Sequence, residues 1–280
     1  MNRHFMVTSV IVTIVLASGF FVSAAPSMQV TLTATEAATP DGTKTHPLLN
    51  PCTNDPFHTI ATGAAMKDAE AGTASYNKNV WVVTFALNDN DEAHAFSKFT
   101  ETHVGQSLAI VLDGQVLSAP VIQAALTTGG QIVGNFTKEN VESLAVQLRY
   151  GALPVSLSVE SVDTIDTGLR VVLAADNPKT TDRDILATQQ IIEKRLNDLG
   201  IVKPSVKPIG DHRLQVDMSG VNDPQAVIQT IKETGLLEFV DFSATQSCQS
   251  LLPQTGQYIL TDAQIARLQM EPTVEATAAN

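Results

Sequence analysis

The sequence predicts an α+β protein built in two consecutive parts. Three observations predict it. Short runs rich in β-branched residues alternate with segments whose apolar residues recur at i, i+3, i+4 and i+7, so strands and amphipathic helices interleave. The second half reads in the order β-α-β-β-α-β, the split βαβ or ferredoxin-like arrangement. Between the halves, Gly151 and Pro154 punctuate the chain. With 280 residues, 44% of them hydrophobic, there is enough apolar material for two cores.

At the N-terminus, Arg3 and His4 precede an apolar run, Phe5 to Val22, and small residues follow at Val22-Ser23-Ala24. Residues 1–25 therefore read as a signal peptide or a single membrane anchor: the run is long for the first and just sufficient for the second. No cysteine follows the run, which argues against a lipid-modified terminus. Residues 26–53 are rich in Thr, Ala and Pro and read as a flexible linker.

The first folded part is expected over 54–155. Val80 to Leu87 is a strand by composition. Asp89 and Asp91 lead into a helix with Ala93, Phe96 and Phe99 inward, stopping near Gly105. Leu108 to Leu112 is a strand, and Asp113-Gly114 is a two-residue hairpin signal before QVLSAP. Gly129-Gly130 precede a short strand, Gln131 to Val133. Thr137 then caps a helix, with Glu139 in its first turn and Val141, Leu144, Ala145 and Leu148 along one face. Gly151 stops that helix and Pro154 prevents continuation.

The second part is expected over 156–245. Leu169 to Ala174 is a strand, and Thr181 with Asp184 forms a capping-box pattern for a helix lined by Ile185, Ile192, Leu196 and Leu199. A hairpin turns at Gly210-Asp211 between Ser205–Ile209 and Arg213–Met218. Asp223 caps the next helix with Pro224 at its first position. Leu236 to Phe242 is the last strand and completes the ferredoxin-like order. Residues 246–280 read as a C-terminal extension, partly disordered.

The formal net charge of -12 argues against nucleic acid and anionic membrane surfaces as partners. No Gly-rich phosphate loop, H-E-x-x-H, paired C-x-x-C or G-x-S-x-G occurs, so neither an enzyme nor a cofactor is expected. His94 and His103 stand too far apart for a turn-to-turn ligand pair, and the acidic run Asn88–Glu92 reads as helix capping rather than a calcium loop; no metal is expected. The only two cysteines, Cys52 and Cys248, flank the folded region; either they bridge and clamp its ends or they remain two thiols.

Several long motifs resemble one family. The helix ending L-R-Y-G-A-L-P (148–154), the run AFSKFTETHVGQSLAIVLDGQVLSAPVIQ (95–123), and IVGNFT (132–137) resemble the head subdomain of the first extracytoplasmic domain of the SecD/SecDF protein-export family. The run IIEKRLNDLGIVKPSVKPIGDHRLQVDMSGVNDPQAVI (191–228) and the ending TGLLEFVDF resemble that family's base subdomain. The resemblance implies a head followed by a base, the reverse of the family's usual order: either a permuted arrangement or a piece of a longer head–base–head layout. It also implies an exported or anchored module lacking the membrane helices of a proton-driven motor. By resemblance, partners would be unfolded secretory polypeptide or Sec translocon components, with membrane contact only through an uncleaved N-terminal segment. The candidate binding residues are Asp113, Gly114, Ser118, Ala119 and Pro120; Arg149, Gly151, Ala152, Leu153 and Pro154 would form the head–base hinge. A cell-envelope scaffold that kept the fold without an export role is the alternative.

Overall fold

A computed structural model describes residues 37–38, 44–45, 47–166, 168–243, 248 and 251–270. The signal peptide or anchor expected over 1–25 lies outside the described residues, as do much of the 26–53 linker and the last ten residues. All the described residues belong to one unit, Thr35–Asn280. It opens with two short antiparallel strands, β1 (Ala37–Ala38) and β2 (Lys44–Thr45).

Two sheets make the first part. β4 (Met66–Ala74), β5 (Asn77–Leu87) and β8 (Gly129–Val133) form an antiparallel sheet with β5 central. β3 (Thr59–Thr62), β6 (Leu108–Leu112), β7 (Gln115–Ser118) and β13 (Leu237–Asp241) form a second, in the order β3-β13-β6-β7. Helix α1 (Asp91–Thr102) starts at Asn90, whose side chain accepts from the Ala93 amide, one residue from the capping aspartates expected. Helix α2 (Lys138–Tyr150) starts at Thr137 with a reciprocal cap between Thr137 and Asn140. The two sheets and two helices enclose one core, in which Phe85, Phe96 and Phe239 pack with ring centroids 4.4–6.3 Å apart.

The second part is β9 (Leu157–Ile165), β10 (Gly168–Ala175), α3 (Asp182–Asp198), β11 (Ser205–Pro208), β12 (Arg213–Met218) and α4 (Pro224–Lys232). The caps expected at Thr181 and Asp223 are present, the first as a capping box with Asp184 and the second with Pro224 in the first turn. Val171, Leu173, Leu214, Val216 and Met218 point to the helix side of the sheet and pack on Ile185, Ile192, Leu196 and Ile231. On the opposite face, Arg170 makes a fork of two bonds to Asp217, at 2.7 and 2.9 Å.

The α+β class holds in both parts, but one strand sits elsewhere than the ferredoxin-like order requires. The sheet of the second part runs β11-β12-β10-β9, and its fourth strand is β9. β13, expected to complete that sheet, pairs between β3 and β6 in the first part. The reason is burial. Leu237, Glu238, Phe239 and Val240 are all buried, so this strand needs cover on both faces, and the first part supplies it: Leu237 and Phe239 pack into one of its cores and Val240 into the other. The sheet of the second part is covered on one face only. β9, mostly exposed along its length, suits its edge.

Residues 251–270 are built into the first part. Their extended stretch runs between the outer edge of β7 and the chain at Leu48 and Phe57, just before β3. The four-stranded sheet thereby closes on itself through main-chain bonds on both sides of that stretch. Inside lie Phe57, Ala109, Val111, Val116, Val240, Phe242, Leu252 and Ile259. Helix α5 (Asp262–Met270) follows.

Candidate functional site

The β6–β7 hairpin turns on Asp113 (φ 48°) and Gly114 (φ 83°), as the two-residue signal requires. Asp113 does more than turn the chain. Its carboxylate accepts from the amides of Gly235 at 3.0 Å and Leu236 at 2.8 Å, which fixes the entry of β13. The residue keeps solvent-exposed surface, yet crowding around the carboxylate pushes its pKa up, against the pull of those amides and of Arg195 and Arg267. Gly114 is buried, and its carbonyl accepts from Ile259 at 2.9 Å. Ser118 is buried. Of the five candidate binding residues, Asp113, Ala119 and Pro120 are exposed, and the Asp113 carboxylate is already bonded to β13.

Ala119 and Pro120 belong to an exposed apolar cluster. Val121 bridges antiparallel to Ser107, and Gly105 donates to Ile122, so Val104 and Val121 come from adjoining chain passages. Val104 is 53% exposed and Val121 47%.

The expected hinge, Arg149 to Pro154, is bonded on both sides. Arg149 donates to Asp68 and to the Ala69 carbonyl on β4, and to Asp198 at the end of α3. Its pKa is raised by Asp198 and Asp68 against a desolvation cost. Gly151 has φ 75° and ψ -176°, backbone that only glycine adopts without strain. Ala152 is half-buried and Pro154 exposed; Leu153 is buried in the second core and donates its amide to Thr234 at 2.8 Å.

Arg195 organises this waist and was not singled out from sequence. It is fully buried and donates to four carbonyls: Thr230, Glu233, Thr234 and Gly151, at 2.7–3.1 Å. Burial lowers its pKa to about 10, opposed by Asp113 and Glu233, so it stays a cation at neutral pH. Those carbonyls lie at the end of α4 and of α2, where helix termini leave acceptors unpaired. Gly235 (φ 74°) makes room for it: a Cβ there would stand 2.8 Å from Arg195 Nη2. The signal was present, because Arg195 lies three residues after Ile192 and next to Leu196 on the apolar face of α3.

A second buried charge was also missed. Glu238 accepts from Thr59 Oγ1 at 2.9 Å, Thr261 Oγ1 at 2.5 Å and Gln264 Nε2 at 3.0 Å. Burial raises its pKa, and neighbouring Asp262 adds to the rise. Asp262 is itself paired with His58. Cys52 and Cys248 form a disulfide with Cα atoms 5.8 Å apart. Among the described residues no group of three or more His, Cys, Asp or Glu is placed to hold a metal ion.

This geometry defines a two-part α+β module, braced at its waist and carrying an exposed apolar cluster on one part. Residues 45–155 match the family described as SecDF, P1 head subdomain, and residues 185–244 match the protein translocase subunit SecDF, P1 domain, N-terminal. The chain belongs to the SecD/SecDF family through these two stretches of its first periplasmic domain. The stretch described as N-terminal comes second here. Among similar proteins, SecD of Acetobacter pasteurianus is 38% identical over 135 residues, covering 46% of this chain and 26% of that protein. SecD of Aquifex aeolicus is 43% identical over 98 residues, covering 35% and 19%. The chain thus spans about a quarter or less of the length of these relatives. A solved structure of the membrane component SecDF, which enhances protein export, shares 36% identity over 38% of this chain and 47% of its own, with a TM-score of 0.34.

Proposed function

We propose that this chain serves Sec-dependent protein export outside the membrane, by docking onto extended polypeptide or onto the translocon, and is not itself a proton-driven motor. Membership of a protein translocase family supports the export setting. The observation that carries the docking reading is the exposed apolar cluster of Val104, Ala119, Pro120 and Val121. Such a surface accepts unfolded chain without sequence preference. The disulfide supports an oxidising, extracytoplasmic compartment. No helix among the described residues is long and apolar enough to cross a membrane, so a proton relay would be the work of other segments or subunits.

The test is site-specific photo-crosslinking at Ala119 and Val121 during export, with Lys207 on the edge strand β11 as control. Adducts with secretory precursor or translocon subunits well above the Lys207 level are expected; adducts no higher than that level refute docking. The bonded waist favours a second reading, an envelope scaffold, which predicts those control-level yields.

A further inference from the structure

The stretch 254–260 lies between two anchors. Upstream is Cys248, fixed to Cys52. Downstream, Thr261 and Gln264 donate to Glu238, Asp262 accepts from the Thr59 amide, and Arg267 donates to the Leu153 carbonyl. Between the anchors the chain is held in a different way. On one side, Gly256 donates to the Val116 carbonyl, Val116 to that of Gln257, and Ile259 to that of Gly114, at 2.8–2.9 Å. On the other, Leu48 donates to Tyr258, Leu260 to Leu48, and Phe57 to Leu260, at 2.8–3.0 Å. These are main-chain bonds, which any residue except proline can make. Ile259 adds a side chain buried against Phe57 and Val116.

The stretch also lies outside both segments matched to the family, 45–155 and 185–244. The edge it covers is the outer edge of β7, the strand that leads directly into Ala119, Pro120 and Val121. We propose that the β7 edge is a strand-accepting slot for extended polypeptide, and that residues 254–260 are its displaceable occupant. The inference rests on the polypeptide-docking reading and gives it a binding mode, strand addition. Main-chain pairing supplies sequence tolerance, and the Ile259 position selects an aliphatic side chain. The anchors let the stretch lift and return without leaving the molecule, so an incoming chain competes against an occupant at high effective concentration.

Two measurements on the full chain test this. In the unaltered protein, the amides of Gly256, Ile259 and Leu260 are expected to exchange with deuterium at least 100-fold faster than those of β6 and β13. Equal rates overturn the proposal, because a displaceable strand must open more often than its sheet. Next, Ile259→Asp weakens the occupant. A fluorescent peptide of residues 254–260 is expected to bind this variant at least tenfold more tightly than the unaltered chain, by anisotropy. Ile259→Ala serves if the aspartate variant does not fold. No gain in peptide binding by a folded variant overturns the slot. Crosslinks at Ala119 without peptide exchange would leave docking standing and remove the slot; peptide exchange without such crosslinks would do the reverse.

Discussion

Replacing both cysteines by serine tests how far the disulfide holds the fold. Cys52 and Cys248 are separated by 196 positions, so their bond closes almost the whole described chain into one loop. The chain-entropy relation gives about 5 kcal/mol for a loop of that size, and measured bridges typically yield about 2–4 kcal/mol. At about 2–4 °C per kcal/mol for a chain this long, the double serine variant should melt roughly 5–15 °C below the oxidised protein. The assay is thermal unfolding followed by far-UV circular dichroism, with oxidised protein, reduced protein and the double variant side by side. Reduced and serine forms should coincide. An oxidised protein that melts within about 2 °C of the variant would refute this, because the loop would then be constrained already in the unfolded state.

Glu238→Gln should change the pH dependence of stability. The native pKa of Glu238 is raised by burial, so in the window from its ordinary value up to the raised one the folded state binds more protons than the unfolded state. The native protein therefore gains stability as pH falls through that window and loses it as pH rises, by about 1.4 kcal/mol per unit of rise. Urea titrations from pH 4 to pH 8 should show a flatter profile for the variant and greater stability than the native chain at pH 8; identical profiles would contradict the assignment. Arg195→Met should cost about 3–5 kcal/mol by leaving buried acceptors unpaired, and Arg195→Lys should recover only part, since one ammonium cannot serve four carbonyls. Full recovery with lysine in denaturant titrations would show that charge alone matters. Gly151→Ala should cost about 1–3 kcal/mol through backbone strain alone, because no atom lies within 4 Å of the added Cβ; an unchanged melting temperature would refute it.

What was legible in the sequence was local. Thr137, Thr181 and Asp223 announce their helices because a cap and its partner are three residues apart. Asp113-Gly114 announces its turn for the same reason. The partners of the Asp113 carboxylate, Gly235 and Leu236, lie more than 120 residues away and leave no periodic trace. β13 was legible as a strand and misplaced, because its apolar run fixes how much cover it needs and not which sheet supplies it. Residues 254–260 gave no strand pattern at all, since main-chain pairing makes few demands on side chains. Arg195 lay in plain view on an apolar helix face. Its burial was readable, but its four acceptors come from two distant helix ends.

The position of β13 has a mechanical consequence. The chain passes between the two parts twice, once through Gly151–Val155 and again through Glu233–Leu236. The amide of Leu153 is bonded to the carbonyl of Thr234, so the passages run side by side. Two joined passages behave as a ribbon and not as a string. A string would let one part spin freely against the other; a ribbon resists torsion and yields most easily by bending across its flat side. Any load pulled through the waist divides between two covalent paths, and relative motion of the two parts is steered toward a single axis.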